Sequence, residues 1–400
     1  MDAVEARGAS GERRSRPPPA PMPSEPVAAG GQAPDAEPIP EPGPRLELID
    51  DLDAARPAWD ALAATIASPF ATWDWADAWW RQWGRPGTLA LYACGRADGS
   101  RAALLPLCRS GRGPLRALRW VGHGSGDQLG PVCAPADRPL AARALGAALA
   151  AEQRGVLLAE RLAAEEGWAT LLEGVVVRRE PNPVLPLGGD WEAYLATRSA
   201  NFRQAARRRE RRLARAHALR YRLADDPRRL ADDLDVLLAL HAARFGSRSS
   251  VLGARTHAFH HDLAARALAG GWLRLWLLEL DSRPAAAWYG FRCGGREWYY
   301  QAGWDPAYAR HAVGFVLLCH TVRAAMHDGM TEYRFLRGGE AFKERFGTRD
   351  DGLVTMGVAH GRLGRAGLLA ARKVLRAPPH SPIGRVARRL AGRAGWMGAT

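Results

Sequence analysis

The chain is poor in cysteine. Its 400 residues hold five, at positions 94, 108, 133, 293 and 319, and no two form a CxxC pair. That spacing argues against a disulfide scaffold and against a thiolate metal site, and no metal is expected. It suits a reducing, cytoplasmic setting, with each cysteine acting as a small buried hydrophobe. No uninterrupted apolar run of 18 residues occurs; the Ala-rich stretch 141–151 is short and carries Arg143. No transmembrane helix is therefore expected. The opening residues lack the apolar centre of a signal peptide. Acidic residues are missing where basic ones gather. Residues 361–400 hold nine Arg or Lys and no Asp or Glu, and Arg198–Arg222 holds ten Arg and one Glu. The net charge of +14, from 56 basic and 42 acidic residues, is thus local, and the body is nearly neutral.

Residues 1–44, rich in Pro, Gly, Ala, Glu and Arg, cannot bury enough apolar surface to offset ordering entropy and read as a disordered leader. The remaining length suits two folded units, 45–187 and 188–360, followed by a basic tail, 361–400. In the first, Leu46–Ile49 reads as a strand. A helix over Asp74–Trp83 places Trp75, Trp79 and Trp83 on one face. Such a stripe is ordinarily core, and otherwise a ligand platform. A hairpin follows (88–94 and 102–107), then strands at 118–121 and 156–159 bracketing a helix at 139–152. A helix over 161–172 and a strand at 174–178 complete the unit. The loop His123–Asp127 reads as a connection or as the wall of a pocket.

The second unit opens with an Arg-rich helix, 200–217, capped by Thr197 or Ser199. The next helix carries Leu230, Leu234, Leu237, Leu238, His241 and Phe245 on one face. A third spans 256–268. Three strands come next (272–280, 285–293 and 296–304), the last two joined by Gly294-Gly295, a turn of the primed type. A loop, a helix at 312–327, a strand at 331–336, a polar segment and a strand at 353–360 close the unit. This order specifies a mixed α/β sheet with a parallel crossover between 299 and 335.

Two segments carry candidate chemistry. The helix start at Ala312-Val313-Gly314-Phe315 follows Gly303-Trp304 and a loop ending in Arg310-His311. Free N–H groups at such a start, with the dipole and nearby positive charge, suit a phosphate; an ordinary helix start with a packing glycine is the bland alternative. The second segment is Arg337-Gly338-Gly339-Glu340-Ala341-Phe342-Lys343, just past the carboxyl end of the crossover strand. Glu340 is a candidate general base, and Lys343 and Arg337 are candidate anion or oxyanion partners. The alternative is a surface ion pair between Glu340 and one of the two. His241, on an apolar helix face, reads as a core histidine or as a second candidate base.

The run 201–350 resembles the acetyltransferase family associated with bacterial cellulose and exopolysaccharide biosynthesis, the CelD/BcsL-type branch of the GNAT superfamily. The matching residues are Phe202-Arg203, then His241 with Arg244 and Phe245, and Ala286–Gly290. They continue with Tyr299–Pro306, Gly314 with Leu317-Leu318, Gly329, and Phe335 to Lys343. Phe70, Trp75 and Leu105-Pro106-Leu107 extend the likeness to 45–360. The resemblance implies a GNAT-like acyltransferase fold, doubled in one chain as in Fem-type aminoacyltransferases. It implies acetyl-CoA or another acyl-CoA as donor, with the pyrophosphate near Gly314. Two positions depart from the family: Gly339 replaces an acidic residue and Phe342 a tyrosine. The helix-start run from His311 to Val316 also keeps only one glycine of the usual pyrophosphate loop.

The expected function is acyl transfer to a sugar, polysaccharide precursor or amine. Two other readings stand beside it: a Fem-like aminoacyltransferase, for which the Arg-rich helix would meet tRNA, and a non-catalytic scaffold. Neither basic segment interleaves aromatic residues for base stacking, so a nucleic-acid partner belongs to the aminoacyl reading alone. Leu363, Leu368, Leu369 and Val374 among Arg365, Arg372, Lys373 and Arg376 give the tail the pattern of a basic amphipathic helix. It suits peripheral contact with the inner membrane face, or else a solvated tail.

Overall fold

The computed structural model describes residues 44–111, 117–152, 155–249 and 253–375. The leader up to residue 43 and the tail beyond 375 lie outside the described residues. In the first half, β1 (Arg45–Ile49) precedes α1 (Leu52–Ala63) and α2 (Trp73–Trp83). Asp51 caps α1 by accepting from the Ala54 N–H at 3.3 Å, and Leu52, Ala55, Trp59 and Leu62 bury one face. Pro57 inside it disguises this helix in the sequence, since proline removes an internal N–H. Next come β2 (Leu89–Gly95), β3 (Arg101–Ser110), β4 (Ala117–Trp120), the two-residue β5 (Val132–Cys133) and α3 (Arg138–Ala151). They are followed by β6 (Val156–Ala163), α4 (Trp168–Leu171) and β7 (Val175–Glu180).

β8 (Pro183–Pro186) ends the first half, and the second runs α5 (Trp191–Ala196), α6 (Ala200–Ala216), β9 (Leu219–Leu223), α7 (Leu230–Phe245) and α8 (Ala254–Ala269). It continues with β10 (Leu273–Leu280), β11 (Arg283–Cys293), β12 (Arg296–Trp304), α9 (Val313–His327), β13 (Glu332–Arg334), α10 (Ala341–Phe346), β14 (Arg349–Asp350), β15 (Leu353–Ala359) and α11 (Gly361–Leu375). Ser199 caps α6 through the Phe202 N–H. Gly294 and Gly295 both take positive φ, 57° and 71°, as a primed hairpin turn demands.

The two sheets share one plan. The first is ordered β1-β2-β3-β4-β6-β15-β7, with β5 beside β3, and the second, from its far edge, β9-β10-β11-β12-β13-β8-β14. In each, one parallel pair follows a helical crossover: β4 with β6 across α3, and β12 with β13 across α9. In each, the sixth place is filled from the other half. β15 inserts between β6 and β7, and β8 between β13 and β14. The strand order therefore crosses the 187/188 boundary twice.

This exchange explains one misreading. The sequence predicts a helix over 161–172, but β6 runs on to Ala163, a 3₁₀ turn covers Ala164–Glu166, and only Trp168–Leu171 is α-helical. The Arg161 N–H donates to Thr355 Oγ1 of β15 at 3.2 Å, a partner 194 residues away. The halves also share a core. Trp75 of α2 meets Phe259 of α8 and Phe291 of β11, with ring centroids 5.3 and 6.1 Å apart.

The splay between β12 and β13 positions the site. Their pairing covers only Arg296–Trp298 against Glu332–Arg334. Beyond Trp298 the strands part, and β12 also carries a bulge opposite Tyr289/Gly290.

Candidate active site

A cavity of about 270 Å³ fills this splay. Trp288, Tyr299, Ala302 and Trp304 line it from the sheet, Val313, Gly314 and Phe315 from the start of α9, with Phe342 and Arg244 at its edge. No side chain caps α9. The first intrahelical bonds run from Phe315 and Val316 to the Ala312 carbonyl, so the N–H groups of Val313 and Gly314 precede them. Ala312 itself holds φ +52°, a left-handed setting uncommon for a non-glycine residue.

Of the residues expected at this helix start, Gly303, Trp304, Val313, Gly314 and Phe315 meet in the cavity wall. Arg310 and His311 end the 3₁₀ turn Pro306–His311 outside the lining; Arg310 donates to His311 Nε2 at 3.1 Å. Both glycines are required by packing. A Cβ at Gly303 would stand 2.3 Å from the His241 nitrogen, because α7 presses on β12 there. One at Gly314 would stand 2.9 Å from the Trp304 ring.

The rim is cationic. The guanidinium of Arg209, from α6, lies 5.0 Å from the Phe315 ring centroid, and that of Arg345 lies 5.5 Å from it. Arg244 lies 5.8 Å from the Trp304 ring. Such guanidinium–ring pairs hold the charges in place. Tyr299 is the polar group of the cavity. Burial raises its hydroxyl pKa, the Arg244 charge opposes the rise, and the Glu340 charge adds to it. Its ring meets Phe342 at 6.2 Å.

The motif after β13 is tightly built. Leu336 is buried with φ +58°, and Gly338 follows at φ +120°. Strain of this kind persists only where surroundings enforce it. Here the Arg337 N–H donates to Asp127 Oδ2 at 3.3 Å. Asp127 also pairs with Arg161 at 3.1 Å, and Arg161, itself at φ +53°, donates to the Gly126 carbonyl. The loop His123–Asp127 is thus a wall against the motif. Lys343 is buried; its Nζ donates to the Arg337 carbonyl at 2.5 Å and pairs with Glu340 at 3.0 Å. Burial lowers the Lys343 pKa, against the pull of Glu340. Glu340 itself is more than half exposed, at the N-terminus of α10.

Lys343 thus ties Glu340 to the Arg337 main chain next to Phe342 at the cavity edge, while the Arg337 guanidinium lies 3.8 Å from Glu180. His241 does not join them: it is buried, shares a 2.8 Å hydrogen bond between Nδ1 and Ser249 Oγ, and packs on Phe245. Burial pushes its pKa down to about 4. The loop His123–Asp127 reads as a possible pocket wall in the sequence, but neither Arg161 nor the contact of Asp127 with the motif is legible there. For Tyr299, the available signal is the Tyr299-Tyr300 pair in the middle of β12. The Asp127 contact spans 210 residues and leaves no local trace.

The same place in the first sheet is chemically different. A cavity of about 260 Å³ there is lined by Gln128, Arg138, Glu165 and Glu166, with Arg296 and Arg334 entering from the second half. Its charges are already paired, Arg138 with Glu166 and Arg334 with Glu165, each at 3.1 Å. Pro139 stands in the first turn of α3 and offers no N–H. The start of α3 thus has one free N–H fewer than that of α9.

Residues 200–344 match the family model described as acetyltransferase (GNAT) domain. No curated protein matches the chain. Among solved structures, FemX is 11% identical with a TM-score of 0.54, covering 75% of this chain and 96% of its own. The C-terminal domain (DUF2156) of a putative lysylphosphatidylglycerol synthetase from Agrobacterium fabrum is 14% identical with a TM-score of 0.50, covering 81% and 98%. At such identities these structures speak to fold alone. The cavity and its motif thus sit in a segment, 200–344, that carries the signature of a GNAT acetyltransferase domain, within a GNAT-type acyltransferase fold.

Proposed function

We propose that the chain is an acyl-CoA-dependent acyltransferase, an N- or O-acetyltransferase whose acceptor is an amine or a sugar hydroxyl. Exopolysaccharide or cellulose synthesis is the setting its sequence resemblance suggests. The observation that carries the reading is the apolar cavity in the splay of β12 from β13, opening on the uncapped start of α9 between Arg209, Arg345 and Arg244. An acyl thioester fits the apolar wall. Phosphates fit the N–H groups of Val313 and Gly314 and the guanidinium rim.

The donor supplies an activated carbonyl and a thiolate leaving group. In this reading Glu340 turns from Lys343 and takes the acceptor's proton as the new bond to carbon forms. Lys343 and Arg337 hold the anionic surroundings, and backbone N–H near Gly303 faces the developing oxyanion. As the carbon–sulfur bond breaks, Tyr299 gives its phenolic proton to sulfur. Tyr299 thereby takes the part vacated by Phe342. Release of free thiol from acetyl-CoA against a panel of amines and sugars tests the reading: Glu340→Gln should lower kcat by ~10²-fold or more. An undiminished kcat removes Glu340 from the role.

A second reading has its own observation. Arg207, Arg208, Arg211, Arg212 and Arg215 are exposed along α6, close to the cavity rim. A Fem-like aminoacyltransferase would meet the phosphates of aminoacyl-tRNA there. Binding of tRNA that falls steeply with salt, with no binding of acyl-CoA, would favour it. No helix of the described residues is long and apolar enough to cross a membrane. The exposed Leu369 beside Arg362 and Arg365 on α11 supports peripheral membrane contact, which anionic vesicles would reveal by co-sedimentation.

A further inference from the structure

The tryptophan stripe of α2 divides in two. Trp75 and Trp79 are buried in the core, but Trp80 and Trp83 are only half-buried. With Trp79 they line a cavity of about 450 Å³ in the first half of the chain, far from α9 in sequence and on other elements. That volume lies within the usual ~300–1,000 Å³ of small-molecule sites. The Trp79 ring is 6.4 Å from Trp80 and 5.7 Å from Trp83, tilted 39° and 33°. The Trp80 ring lies down over Gly84, where a Cβ would be 2.5 Å from it.

Polar groups border these indoles. Thr88, Ser110 and Ser125 bring hydroxyls, that of Thr88 donating to the Arg85 carbonyl at 2.7 Å and so left to accept, and Arg85 brings a guanidinium. Arg109, also in the lining, is already held by Glu152 at 2.6 Å. Among the described residues no carboxylate occurs in the lining, so a cationic ligand has no counter-charge there. His123 Nδ1 lies 2.9 Å from the Trp120 carbonyl and must donate there, which leaves Nε2 as a bare acceptor. Burial pushes the His123 pKa down to about 3, so that acceptor persists at neutral pH. The loop is anchored from the second half, since the Tyr300 hydroxyl donates to the Ser125 carbonyl at 3.0 Å.

Electron-rich indole faces attract the polarised C–H face of a pyranose ring. Its equatorial hydroxyls need donors and acceptors together at the rim, and this cleft supplies both. The tilted indoles do not form the parallel slot that a planar base would fill. We propose that this cleft binds a saccharide of one or two pyranose rings. The proposal does not rest on the acyl-donor reading, because binding is measured without donor.

Saturation-transfer NMR on the full chain, with cellobiose and with diacetylchitobiose as probes, tests it. Ring C–H protons of at least one probe should receive saturation. Trp83→Ala should weaken that probe's affinity at least ~10-fold, equivalent to about 1.4 kcal/mol, while Trp191→Ala, on α5, should not. Thr88→Val, at a partly exposed position, should also weaken binding and decides the matter if Trp83→Ala does not fold. Absence of transfer to both probes, or an affinity unchanged by Thr88→Val and by a folded Trp83→Ala, would overturn the proposal. So would displacement of the bound sugar by adenosine.

Discussion

At the scale of single residues, the account turns on which groups hold protons and where. In the proposed reaction Tyr299 enters protonated, and burial, with the Glu340 charge, raises its pKa in that direction. Tyr299→Phe should therefore cost ~10²-fold in kcat with little change in thermal midpoint, since only one oxygen is removed. A variant of normal kcat would take Tyr299 out of the chemistry. His241 and His260 make a separate prediction. Both are buried and neutral, with pKa values down from 6.5 to about 4 and about 3. A depressed histidine pKa means that the unfolded chain binds more protons below pH 6.5. The stability is thus fully present above pH 6.5 and is lost as pH falls towards 4. Between pH 7 and pH 5 each should cost about 2 kcal/mol. Urea unfolding at the two pH values measures the loss, and it should be shallower in His241→Gln.

At the scale of elements, glycine positions carry the packing. Gly303→Ala drives a methyl into the α7 backbone at His241, and overpacking of this kind costs about 1–3 kcal/mol. A denaturation midpoint equal to that of the unaltered chain would show that α7 and β12 are not so closely joined. Much at this scale was legible in the sequence. The Gly294-Gly295 turn, the apolar face of α7 and the crossover through α9 follow from local period and turn chemistry, and they locate the cavity. What stayed hidden depends on distant partners. β8 has four residues, two of them proline, and becomes a strand only by pairing with β13. The α10 turn lies in a segment that reads as polar loop. For the site, the position of Glu340, Lys343 and Arg337 just past a strand is legible in the sequence. The partner of the Arg337 N–H, Asp127, belongs to a distant loop, and Asp127 in turn meets Arg161 of the first sheet.

At the scale of the whole molecule, each sheet borrows a strand from the other half. Removing residues beyond 351 takes β15 out of the first sheet, with Leu353, Val354 and Met356 nearly wholly buried. Two sheet edges, β6 and β7, would then lie open. The pieces 44–187 and 188–375 should not fold separately, and the full chain should unfold in one transition. Hydrogen exchange that protects the β2–β3 amides in the isolated first piece would contradict this. The same exchange joins the motif after β13 to the loop His123–Asp127, so the site draws on both halves. The central claim is that the splay of β12 from β13 holds an acyl-CoA donor. It is tested most directly by calorimetric titration of acetyl-CoA into the full chain and into Gly314→Val. The account predicts saturable binding to the former and a loss of at least ~10-fold in affinity, or about 1.4 kcal/mol, in a folded Gly314→Val. No binding to the unaltered chain, or equal binding to both, would contradict it.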